Sequence, residues 1–133
     1  METMKPTLGI LIFLAALPVA AHHSFYSMYS DDKPVTLVGV VTKVEWLNPH
    51  GHLYLDVKDA DGKVTNWTFE LGAPNALMRA GGWTRGALKE GDSVTVTGFR
   101  AKDDSARGAT TSVTLADGQV LKSNPYWGML NKQ

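Results

Sequence analysis

The sequence predicts a mainly-β fold, a five-stranded OB-like Greek-key barrel with one short helix between strands 3 and 4. Three observations lead there. Valine- and threonine-rich stretches alternate apolar and polar residues with a period of two, which marks half-buried strands. Turn-forming pairs punctuate them at short intervals. One segment, between the third and fourth strands, changes period and opens on a proline.

The first strand is "PVTLVGVVTKVEW" (34–46), with Gly39 breaking the alternation as a bend or bulge does. "NPHG" (48–51) is turn chemistry. In "HLYLDVKD" (52–59), Leu53, Leu55 and Val57 face one way and His52, Tyr54 and Asp56 the other. "DADG" (59–62) signals a hairpin. "KVTNWTFEL" (63–71) then sets Trp67, Phe69 and Leu71 on one face, so Trp67 is expected in the core. In "APNALMRAGG" (73–82), Pro74 suits a first helical position and Gly81-Gly82 a stop, with Trp83 packing just beyond. "LKEGDSVTVTGF" (88–99) is a turn into a fourth strand, "RAKDDSARGA" (100–109) a polar loop, and "TTSVTLADGQVL" (110–121) a fifth strand with room for a final hairpin. Three strands, a helix and two strands is the element order of the OB-fold. Periodicity defines strands better than their pairing, so an open β-sandwich is the alternative arrangement.

Composition excludes several classes of function. Of 133 residues, 13 are basic and 13 acidic, which leaves no net positive field for nucleic acid or for an anionic membrane surface. There is no cysteine, hence no disulfide, thiol catalysis or thiolate metal site. Residues 1–21 are expected to be a secretory signal peptide. "LGILIFLAALPVA" is its apolar run and Val19-Ala20-Ala21 its small-residue cleavage site. An uncleaved anchor is the alternative, but the run is short for a bilayer span. The expected organisation is therefore signal peptide 1–21, N-terminal segment 22–33, barrel 34–121 and tail 122–133, in a protein without a stable membrane span once cleaved.

"AHHSF" after the signal, "NPHGHLYLDV", "NWTFELGAPNALMRAGGW", "LKEGDSVTVTG" and "SVTLADGQVL" resemble a family of small exported bacterial proteins catalogued as a domain of unknown function. The resemblance spans nearly the whole chain after the signal and implies a periplasmic setting with an OB-like barrel. It implies no activity. More distantly, the strand order is similar to that of periplasmic bacterial OB-fold proteins, for which small-ligand or cation binding is the usual suggestion.

All four histidines lie in two clusters, His22-His23 and His50-Gly51-His52. Cleavage after Ala21 makes His22 the N-terminal residue, able to chelate through its amine and its own ring, and a second imidazole completes the planar nitrogen set that copper(II) prefers. Cleavage after Ala20 makes a different square-planar site, with His23 as its third residue. His50 and His52, two apart in extended chain, have Cα atoms about 6–7 Å apart on one face. Gly51 permits close backbone approach, and Tyr54 and Asp56 continue that face. The structural alternatives are a polar, disordered N-terminus and a turn histidine bonded to a nearby carbonyl.

The expected function is a periplasmic binding module holding copper or another divalent transition metal through His22, His23, His50 and His52. The alternative is a metal-free module that binds a peptide, glycan or protein partner through Trp46, Tyr54 and the 100–109 loop. Glu45 and Glu70 lie on strands with nothing in the sequence to pair them as acid and base. No serine–histidine–acid or phosphate-loop signature is present, so no catalytic residue is assigned. A copper oxidase built on the N-terminal histidine ranks last.

Overall fold

The computed structural model describes residues 25–123. The expected signal peptide, His22, His23 and the Tyr126-Trp127 tail lie outside the described residues. Among the described residues, no helix is long and apolar enough to cross a membrane.

After a helical turn at 25–28, strand β1 runs Tyr29–Glu45, β2 His52–Lys58 and β3 Val64–Glu70. Helix α1 (Pro74–Ala80) follows, then β4 (Ser93–Ala101), β5 (Arg107–Leu115) and β6 (Val120–Lys122). The sheet order is β3-β2-β1-β4-β5-β6. β3 also pairs with β5 in parallel, through Thr68↔Arg107, Phe69↔Gly108 and Glu70↔Ala109. That last pairing returns the sheet to its first strand, so five strands form a closed ring of hydrogen bonds.

The long β1 makes the closure possible. Its residues 34–40 pair with β4 and its residues 40–45 with β2. Gly39 stands at the changeover. A Cβ there would lie 2.9 Å from the Asp56 carbonyl oxygen, so the close crossing of β1 and β2 excludes any larger residue. The expected bulge falls slightly later, between Val41 and Lys43.

Six strands form where five were expected. The "LADGQ" segment is a tight turn: Gly118 N–H donates to the Leu115 carbonyl, Leu115 N–H to that of Gln119, and the Asp117 carboxylate accepts from Gln119 N–H. Val120–Lys122 then folds back on β5 as β6. β1 also begins five residues earlier than the alternation suggested, because Tyr29 pairs with Ala101 ahead of a register shift before Pro34. The polar loop shrinks correspondingly to residues 102–106.

Leu53, Leu55, Phe69, Leu71, Val96 and Val113 are fully buried within the ring. Each contributes roughly 1.5–3 kcal/mol relative to exposure. Trp67 joins this core as expected, its ring stacked on Phe69 with centroids 5.6 Å apart. Leu77 of α1 and Trp83 extend the core, and the Trp83 indole N–H donates to the Lys122 carbonyl at 2.7 Å.

A second, smaller cluster of Phe25, Tyr29, Ala101 and Ala109, with Phe99 against it, is separate from the first. Ala109 is in register with Glu70, and Glu70 points opposite to core-facing Phe69. The second cluster therefore lies on the outer wall of the ring, over the β3–β5 seam.

The Thr110 hydroxyl is buried without a hydrogen-bond partner. Replacing it with a methyl of similar shape removes a desolvation cost. Thr110→Val is expected to raise stability by about 1 kcal/mol in urea unfolding. A loss of stability would show that the hydroxyl is satisfied.

Candidate functional site

The carboxylate of Glu70, at the end of β3, is only 7% exposed although it sits on the outer wall. A charge removed from water needs partners, and two are supplied from distant parts of the chain. The Tyr29 hydroxyl, from the start of β1, donates to Oε2 at 2.8 Å. His50 Nδ1, from the β1–β2 loop, bonds Oε1. Three segments of chain thus meet on one side chain.

Local backbone chemistry explains the meeting of loop and strand. Gly51 N–H donates to the Gly72 carbonyl at 3.2 Å, and Leu71 N–H donates back to Gly51 at 2.8 Å. The loop is thereby stitched onto the continuation of β3. A Cβ at Gly51 would lie 2.9 Å from the Glu45 carbonyl oxygen, so the close approach expected of this glycine is realised. His50 is left one-quarter exposed beside Glu70.

His50, in the β1–β2 loop, and His52, at the start of β2, are not equivalent. A carboxylate accepts only, so it places the His50 proton on Nδ1 and makes Nε2 the nitrogen through which the ring would coordinate. His52 stands in register between Glu45 and Glu70. Its Nδ1 is buried with no hydrogen-bond partner, and its ring lies 6.5 Å from that of Tyr54. Coordination through Nε2 would require a proton on that buried Nδ1, a donor without an acceptor, which carries a desolvation cost.

Beside His52, Lys43, Glu45 and Tyr54 form their own network. Lys43 pairs with Glu45 Oε1, and the Tyr54 hydroxyl donates to Oε2 at 2.8 Å. Hydrogen bonds from Lys43 and Tyr54 hold the Glu45 carboxyl below its usual range. The same bond to Glu45, followed by burial, pushes the Tyr54 hydroxyl up. Trp46 is half-buried, edge-to-face with Trp83 at 6.0 Å. In the 102–106 loop, hydrogen bonds from Ser105, with Arg107 beside it, lower Asp103 to about 2. Lys33 likewise lowers Asp104. The aromatic and charged groups of the alternative binding edge are thus engaged within the chain.

Among the described residues, no three His, Cys, Asp or Glu side chains are grouped to hold one ion. Tyr29 and Glu70 belong to the cluster and carry no signal of that role in the sequence motifs. The one trace is the run Phe25, Tyr26, Met28 and Tyr29, aromatic and apolar residues gathered just ahead of the polar stretch 30–33. A groove of about 250 Å³ lined by Asp92, Ser93, Val94, Leu115, Ala116 and Asp117 contains no histidine. Asp92 and Asp117 there each accept from a backbone N–H of their own turn.

A family described as a family of unknown function, DUF6152, matches residues 11–111, and the chain belongs to it. No curated protein matches the chain.

The Tyr54 hydroxyl is expected to ionise above the ordinary tyrosine value of about 10, and Glu45→Gln to bring it down. Ultraviolet pH titration of the two proteins measures this. A raised value favours the neutral hydroxyl in the folded state. The stabilisation is then complete below the unfolded value and disappears as pH rises through the folded one. Superimposable titrations would dissolve the Glu45–Tyr54 bond.

Proposed function

We propose that this member of a family of unknown function is an exported, OB-like binding module that holds a divalent transition metal, copper foremost. His50 is its fixed ligand, and the segment carrying His22 and His23 supplies the remaining donors. The observation that carries this reading is the bond between His50 Nδ1 and the buried Glu70 carboxylate. Metal-ligating histidines almost always donate their other ring N–H to a carboxylate, carbonyl or water, which sets the tautomer and raises ligand basicity.

The position of the N-terminal segment supports it. Phe25 is 1% exposed, with its ring 5.8 Å from that of Tyr29, whose hydroxyl bonds Glu70. His22 is three Cα–Cα steps from Phe25, a reach of about 11 Å at most. On this reading, a chain beginning at His22 carries its amine and imidazoles within that reach of Phe25, which packs on the tyrosine that bonds Glu70. Without thiolates, such nitrogen donors suit copper(II), nickel(II) or zinc(II). The ring closure through β3 and β5, with α1 between β3 and β4, supports the OB-like assignment. His52 is assigned a lesser role than His50 because of its buried, unpartnered Nδ1.

Untagged chain beginning at His22 is expected to bind one copper(II) in competition with a chelator of known affinity. His50→Ala is expected to abolish tight binding, and Glu70→Gln to weaken it about 10- to 100-fold. An extra residue ahead of His22 is expected to weaken it too. Affinity should fall as the pH is lowered, because metal binding requires deprotonated ligands. Failure to take up copper, or affinity unchanged by His50→Ala, contradicts the proposal.

A further inference from the structure

Glu70 alone does not determine how His50 is held. The last torsion of a glutamate side chain is broad, so a carboxylate bonded at one oxygen only turns over a wide range. Fixing its second oxygen removes that freedom. Tyr29 is built to do so. It is 4% exposed, and its ring is packed by Phe25, which itself meets Phe99 edge-on with centroids 6.0 Å apart. Ala101 pairs with Tyr29 and Ala109 with Glu70, so small side chains make room for the ring on the outer wall. The Met28 carbonyl accepts from Lys102 N–H at 2.9 Å, tying the backbone next to Tyr29 to the end of β4. A phenylalanine would fill the same space. The hydroxyl is what reaches Glu70 Oε2.

We propose that Tyr29 is a positioning residue: by holding one oxygen of Glu70 it locks the other against His50 Nδ1, keeping Nε2 as the coordinating nitrogen. This rests on the reading of His50 as the metal ligand. Tyr29 touches no ion itself; its effect passes through Glu70.

The test uses the chain beginning at His22 as wild type, Tyr29→Phe, Glu70→Gln, the double variant and His50→Ala. Two readouts are taken: copper(II) affinity by chelator competition, and the imidazole nitrogen-15 spectrum of His50 without metal. Thermal melting confirms that each variant folds. Tyr29→Phe is expected to weaken copper binding about tenfold, at the lower end of outer-partner effects. The double variant should bind no worse than Glu70→Gln alone, because both changes act through one carboxylate. The His50 spectrum should change from a single Nδ1-protonated tautomer to an averaged pattern.

If Tyr29→Phe binds copper like wild type and leaves the His50 spectrum unchanged, while His50→Ala abolishes binding, the positioning role is overturned and the metal reading stands. Additive effects of Tyr29→Phe and Glu70→Gln overturn it as well. If wild type takes up no copper, the metal reading falls and the nitrogen-15 spectra decide alone: a changed tautomer in Tyr29→Phe supports the lock, an unchanged one overturns it. Should Tyr29→Phe fail to fold, the wild-type spectrum decides: a single Nδ1-protonated tautomer supports the lock, and an averaged pattern overturns it.

Discussion

A carboxylate buried on the outside of a β-ring is the constraint around which this structure is arranged. Glu70 lies on the wall of the ring that strand alternation assigns to solvent, yet it is almost wholly covered. A charge so placed is costly unless paired and hydrogen-bonded. Two of its partners come from residue 29 and residue 50, so both the N-terminal strap, residues 25–29, and the β1–β2 loop contribute to satisfying this one side chain. The strap excludes water from Glu70, and Glu70 in turn gives the strap a polar anchor.

The sheet delivers these parts to one place. Because β1 divides its length between β4 and β2, its beginning lies against the end of β4 and its end leads into the histidine loop. The parallel pairing of β3 with β5 brings Glu70 beside Ala109, where the aromatic residues of the strap find their apolar cover. Ring closure and site assembly are thus one event: without the β3–β5 seam, Phe25 and Tyr29 would have no wall to cover.

Much of this was legible in the residues, for identifiable reasons. Alternation located Leu53, Leu55, Trp67, Phe69 and Leu71 inside, since period two reports which face is buried. Pro74 and the glycines after Ala80 bounded α1, and Gly51 foretold a close backbone approach. The sixth strand was harder to read because three residues are too few for a periodic signal; only its turn announces it. Tyr29 and Glu70 were not legible as partners. Their pairing spans 41 residues, and alternation predicted correctly that Glu70 points outward, which ordinarily means toward water. Periodicity has no means of showing that an outer face is covered by a separate segment. The inequivalence of His50 and His52 was hidden for a related reason, since spacing along a strand says nothing about which ring nitrogen meets an acceptor.

Amide hydrogen exchange, compared between wild type and Glu70→Ala, tests most directly whether Glu70 holds the strap in place. The Lys102 amide reports on the strap, since it donates to Met28, and Leu55, in register with Trp67 within the ring, serves as the reference. Lys102 is expected to lose protection far more than Leu55 does, as the strap lifts while the ring stays closed. Equal loss at both sites, or no loss at Lys102, would contradict the account.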